Sequence, residues 1–144
     1  MGINSEARAI FYYAGRSLPE GRRIMARTVC KILGVVFLLV GVLGFTTILN
    51  PLGAHLSPAH NVVHIVSGVI ALYFGFAGSL AGAKGFALVF GVVYLGLGIL
   101  GMALGSAGEH MWKIGPLELG QVDHGIHILL GVVFLGGGLF TKTS

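Results

Sequence analysis

Four apolar stretches, each close to the length a helix needs to cross a bilayer, constrain this chain more than any other feature. A hydrocarbon core of roughly 30 Å takes about 20 helical residues, with about 17 to 25 tolerated. Ile32–Leu49, Asn61–Gly78, Phe86–Gly105 and Ile126–Phe140 approach that length. The fourth is short and reaches only if Asp123 and His124 join its first turn or if it lies where the bilayer thins, so its outer end is expected to be shielded by protein. Hydrophobic residues make up 55% of the chain and charged residues 10%, with a mean hydropathy of +0.91, which excludes an ordinary water-soluble domain. The expected fold is an all-α membrane protein of four transmembrane helices.

Nine Lys and Arg give a pI of about 9.6, which in a soluble chain would point to nucleic acid. Their placement points to topology instead. Arg8, Arg16, Arg22, Arg23, Arg27 and Lys31 precede the first stretch, Lys84 separates the second from the third, and Lys142 follows the fourth; Lys113 alone falls on the other side. The positive-inside rule then puts both termini in the cytoplasm of a cell with the chain in its plasma (inner) membrane. The apolar run after Lys31 carries no small-residue cleavage pattern, so the first span is expected to remain as an anchor. Residues 1–30 read as a cytoplasmic extension: Ser17-Leu-Pro-Glu20 has the form of a capping box from which a helix runs toward the membrane, and Ser5–Ala14 mixes aromatic and basic residues as an interfacial helix does, the alternative being a basic tail that only enforces topology. A single cysteine, Cys30, excludes an internal disulfide.

The membrane domain, 31–144, repeats itself over about 31–84 and 85–144. Gly34-VVFLLVGVLG-Phe45 matches Gly91-VVYLGLGILG-Met102 at seven of twelve positions, and the glycines at 34, 41 and 44 recur at 91, 98 and 101. His64-Ile-Val-Ser-Gly68-Val likewise matches His127-Ile-Leu-Leu-Gly131-Val, which aligns His60 with Asp123 and Asn61 with His124. Each unit is a helical hairpin running in the same direction, so the two are expected to be related by a pseudo-two-fold along the membrane normal. The pattern His60-Asn61-x-x-His64-x-x-x-Gly68, within this repeat, resembles a family of small four-span bacterial membrane proteins catalogued as a domain of unknown function. The resemblance covers about Lys31 to Phe140; the second unit departs from it, with Asp123-His124 in place of His60-Asn61. It implies the architecture and no chemistry.

All six histidines (His55, His60, His64, His110, His124, His127) fall at the end of the spans away from the positive charges. Residues three or four apart share a helix face, so His60, His64, Gly68, Ala71 and Gly75 form one stripe and Asp123, His127 and Gly131 another. Three chemistries suit such stripes. His60, His64, Asp123, His124 and His127 are candidate metal ligands, since imidazole suits zinc and copper. His64 and His127, with Gly68 and Gly131 making room, are candidate axial ligands for haem or a chlorophyll-type pigment. The same histidines could also handle protons. Against these stands a purely architectural role, with no cofactor: Ser57-Pro58 and Asp123 cap helix starts, and the polar cluster fixes the packing around them.

Gly78-x-x-x-Gly82 and Gly101-x-x-x-Gly105 read as packing motifs within the chain, Tyr73 and Tyr94 as bundle residues, Trp112 as an interfacial anchor, and Asn50-Pro51 and Gly115-Pro116 as turns. No phosphate loop, nucleophile elbow or carboxylate pair within the spans supports an enzyme, and no buried charge on the inner half supports a transporter. The expected role is non-catalytic: an accessory or scaffold subunit in contact with lipid and with a membrane partner or its own copies. The rival is a haem-, pigment- or metal-binding membrane protein.

Overall fold

The computed structural model describes residues 20–106 and 108–143. It consists of α1 (Glu20–Leu43), a 3-10 turn (Asn50–Leu52), α2 (Pro58–Phe76), α3 (Leu80–Leu104), a small antiparallel hairpin of β1 (Trp112–Ile114) and β2 (Leu117–Leu119), and α4 (Gln121–Phe140). The candidate interfacial helix at Ser5–Ala14 and most of the Ser17–Glu20 capping signature lie outside the described residues.

All four helices carry membrane-length apolar segments: Ile24–Leu43, Pro58–Phe76, Leu80–Leu104 and Gln121–Phe140. Their large apolar residues point outward, as Leu39, Val69, Val92 and Leu129 do, while glycine, alanine and histidine face inward. A water-soluble bundle would have the reverse arrangement. The chain is an integral, multi-pass membrane protein.

The first span differs from the expectation of Ile32–Leu49, lying nearer the amino terminus because two basic side chains find partners within it. Arg27 Nη2 donates to the carbonyl of Gly78 at 2.7 Å, capping the end of α2, and Lys31 Nζ sits 4.7 Å from the centre of the Phe76 ring. At the other end the Thr46 hydroxyl donates to Leu43 O at 2.6 Å and closes α1. The fourth span starts at Gln121 and so does take Asp123 and His124 into its first turn.

Helix starts follow local chemistry. Ser57 Oγ accepts from His60 N at 3.3 Å with Pro58 in the first turn, and Ser79 Oγ accepts from Gly82 N at 3.0 Å. Gly120, the residue before α4, has no side chain to cap with; Asp123 accepts from its N–H at 2.8 Å instead.

α1 packs against α2 and α3 against α4, through contacts that correspond one for one. A methyl group added at Gly34 would lie 2.8 Å from Leu72, and one at Gly91 2.6 Å from Leu135. The same holds for Gly41 against Ile65 and the Asn61 carbonyl, and for Gly98 against Ile128 and the His124 carbonyl. Gly44 is covered by the Asn61 side chain and Gly101 by the His124 ring. Glycine thus lets the backbones approach, as close packing between helices in lipid requires. The glycines of 78-x-x-x-82 abut Phe74 in the same chain.

Along the axis runs an aromatic column: Phe37 on Tyr94, then Phe134 and Phe90, then Phe86 and Phe74. Tyr94 is buried as expected, whereas Tyr73 is 59% exposed and faces lipid rather than the bundle. Trp112 sits in the β-hairpin, whose turn places Gly115 at φ 57°. Across that hairpin Lys113 Nζ lies 2.6 Å from Glu118 Oε1, a hydrogen bond that holds the Glu118 carboxyl below its usual range.

Candidate metal centre

At the end of the bundle away from Arg27, three histidines converge. His60 and His64 lie one turn apart on α2, and His127 comes from the facing turn of α4. Their exposures are 3%, 6% and 4%, and one ring nitrogen from each lies within 4.8 Å of the other two. The His60 ring centre is 4.4 Å from that of His64 and 5.8 Å from that of His127.

The proton on His60 is assigned by its partner. Nδ1 lies 2.8 Å from the carbonyl of His55, which can only accept, so Nδ1 carries the hydrogen and Nε2 presents a lone pair. A backbone carbonyl behind one ring nitrogen is the usual support for a histidine that ligates through the other. Nδ1 of His64 and Nδ1 of His127 are buried with no hydrogen-bond partner among the described residues. Unpartnered buried nitrogens are costly and call for an explanation. Phe37 stacks under His64 and Tyr94 meets His127 edge-on, so aromatic walls hold both rings.

The structure separates the five candidate ligands into two groups. Asp123, 2% exposed, does not contribute to the donor cluster. Its carboxylate accepts from the His55 N–H at 3.1 and 3.0 Å as well as from Gly120, and its Oδ2 lies 3.3 Å from His55 Nδ1. It therefore fixes the loop whose carbonyl orients His60. His124 also stands apart: Nε2 donates to the His110 carbonyl at 2.8 Å, and the ring fills the space over Gly101. It does in the second hairpin what Asn61 does in the first.

The macrocycle reading does not fit. The donor nitrogens sit together with no slot between them, and the space beside Gly68 and Gly131 is taken by Leu38 and Leu95. The cavity next to the triad measures about 100 Å³, well below the 300 Å³ or so at which pockets for larger cofactors begin.

His55 joins the candidate cluster without a signal in the sequence. It lies in a loop outside any helical stripe, and its spacing from His60 carries no periodic signal. Only the folded loop shows it between Asp123 and His60, with Nε2 also 4.0 Å from Glu109 Oε2.

No curated protein and no solved structure matches this chain. The family described as a domain of unknown function, DUF4383, matches residues 27–140, which takes in all of the second, third and fourth helices and most of the first. The chain belongs to that family.

Proposed function

We propose that this membrane protein binds one transition-metal ion through His60, His64 and His127. The observation that carries the proposal is the convergence of three buried imidazoles whose nitrogens lie within 4.8 Å, one with its tautomer set for ligation and two with unpartnered nitrogens. Imidazole suits copper and zinc. Cuprous copper is favoured, because a single positive charge costs least to bury and three nitrogens satisfy it; zinc would demand a fourth ligand. The Asp123 carboxylate, on the wall of the same cavity, lowers the cost of bringing a cation there. The role is binding, with no reaction assigned. By the distribution of Lys and Arg the triad belongs to the outer leaflet of a bacterial plasma membrane, with both termini in the cytoplasm.

Elemental analysis of the protein purified in mild detergent tests this. One copper or zinc per chain is expected, lost in His60→Ala, His64→Ala and His127→Ala but retained in His124→Asn, which copies the Asn61 arrangement of the first hairpin. A wild-type chain that takes up neither metal overturns the proposal.

The accessory or scaffold role is a second reading with an observation of its own. Gly85 and Gly96 on α3, and Gly125 and Gly136 on α4, have nothing within 4 Å of where a Cβ would stand. Such open glycines leave room for a partner helix. Native electrophoresis and a pull-down that find only a monomer without companions count against this reading.

A further inference from the structure

The loop between α1 and α2 divides two pockets, and its residues face them alternately. Leu52, Ala54 and Leu56 line the cavity of the triad, whereas Gly53 and His55 line a second pocket together with Glu109, Gln121 and Val122. Asp123 joins the two. Its carboxylate lines the cavity of the triad, and its Oδ2 lies 3.3 Å from Nδ1 of His55. On the side of the second pocket, His55 Nε2 lies 4.0 Å from Glu109 Oε2. Side-chain exposure falls along this row from 76% at Glu109 through 38% at His55 to 2% at Asp123. The row therefore runs from water to the edge of the triad.

A cation leaves water only where charge and donor atoms replace its hydration. Apart from the histidines and Asp123, the cavity of the triad is walled by hydrocarbon, from Val36 and Val40 on α1 to Ile126 and Leu130 on α4. Asp123 is the acid among the lining residues, and the two N–H groups it accepts leave its carboxylate lone pairs to spare. Lys113, the basic residue at this end, is taken by Glu118, with Nζ 2.6 Å from Oε1, so its charge does not offset Glu109. Resting on the metal reading, we infer that His55 and Glu109 form a receiving site for the cuprous ion, which passes from there along Asp123 to the triad. The imidazole is the ligand and the carboxylate supplies the attraction. One exposed imidazole holds the ion weakly and three buried ones hold it tightly, so transfer runs inward.

Uptake and release, measured apart from affinity, test the receiving site. Cuprous copper is supplied without oxygen as its acetonitrile complex to the protein in mild detergent, and a sulfonated phenanthroline that stays in water stops uptake at timed intervals. Glu109→Gln and His55→Phe are each expected to slow uptake and release alike, by about tenfold, while the copper content and affinity stay as in wild type. Neither side chain touches the ion once it rests in the triad. His55→Phe keeps the backbone carbonyl behind His60 and a ring beside Gly120, so the loop retains its supports. Wild-type uptake should slow as salt is raised, and that dependence should flatten in Glu109→Gln. Variants that load at the wild-type rate, or that lose affinity in place of rate, overturn the receiving site and leave the triad standing. A wild-type chain that binds no copper removes the triad, and the receiving site with it.

Discussion

Phe37 stacks on His64 with ring centres 5.6 Å apart and planes 9° from parallel, and Phe37 in turn stacks on Tyr94 at 5.3 Å. Tyr94 holds in the second hairpin the position Phe37 holds in the first, and it meets His127 edge-on at 5.2 Å. His64 and His127, at matching positions of the two sequence motifs, thus each stand against an aromatic ring. His60 breaks the symmetry, because its counterpart is Asp123. One hairpin supplies the third histidine and the other the carboxylate that fixes the loop behind it.

Phe37→Ala tests whether this aromatic floor is structural. Phe37 is 1% exposed and touches rings on three helices, so its removal opens a hole that neighbouring helices cannot fill without shifting. In lipid the loss is one of packing rather than of transfer from water. Unfolding by sodium dodecyl sulfate is expected to show a loss of about 3 kcal/mol. Metal affinity should fall with it, since His64 loses its support.

Glycine positions divide sharply by what surrounds them. Alanine at Gly41 would bring a Cβ within 2.7 Å of Ile65 and 2.8 Å of the Asn61 carbonyl, and alanine at Gly98 within 2.6 Å of Ile128 and 2.7 Å of the His124 carbonyl. Backbone lies behind each contact, so the helices must part. Gly41→Ala and Gly98→Ala are expected to destabilise the fold. Gly96→Ala and Gly136→Ala meet nothing and should be neutral or stabilising, by up to about 1 kcal/mol from helix propensity. The same detergent titration ranks all four, and equal effects at the two kinds of site would refute the contrast.

The spans and the helix faces that carry glycine and histidine were legible in the sequence because each follows from a period: long apolar runs, recurring glycines, and residues three or four apart. The start of α1 at Glu20 is marked by the Ser17-Leu-Pro-Glu20 signature, but how far the apolar span reaches back is not, since Arg27 and Lys31 look like flanking charges until Gly78 and Phe76 arrive from other parts of the chain to receive them. Tyr73 faces outward although it lies deep in its span, because depth does not determine which way a side chain faces. For the candidate site, the matching motifs around His64 and His127 single out two histidines that the fold brings together with His60. Which of the remaining candidates joined them depended on loops: His110 takes His124 away from the cluster, and His55 takes Asp123. Loop conformation leaves no periodic trace in a sequence.

The Lys113–Glu118 pair offers a control away from the site. A carboxylate whose folded pKa is lowered adds stability above its unfolded value and loses it as pH falls through the folded one. Both side chains are largely in water, 70% and 48% exposed, so solvent and salt screen the gain. Lys113→Ala is expected to leave the melting temperature at neutral pH and about 0.15 M salt unchanged. A clear drop would show that the β-hairpin is held more tightly than its exposure implies.

Asp123→Asn separates orientation from ligation. The amide keeps the size of the carboxylate and one acceptor oxygen, but it cannot receive the His55 and Gly120 N–H groups on both atoms, because its nitrogen is a donor. The loop over the cavity should loosen, and with it the His55 carbonyl that holds His60 Nδ1. Losing such a supporting partner costs about 10- to 100-fold in metal affinity, while losing a ligand outright should abolish the site. Competition titration with a chromogenic copper chelator is therefore expected to show Asp123→Asn weakened by roughly tenfold, with His60→Ala, His64→Ala and His127→Ala showing no binding. If Asp123→Asn binds as tightly as wild type, the relay through His55 is wrong; if it binds nothing although folded, the carboxylate is itself a ligand.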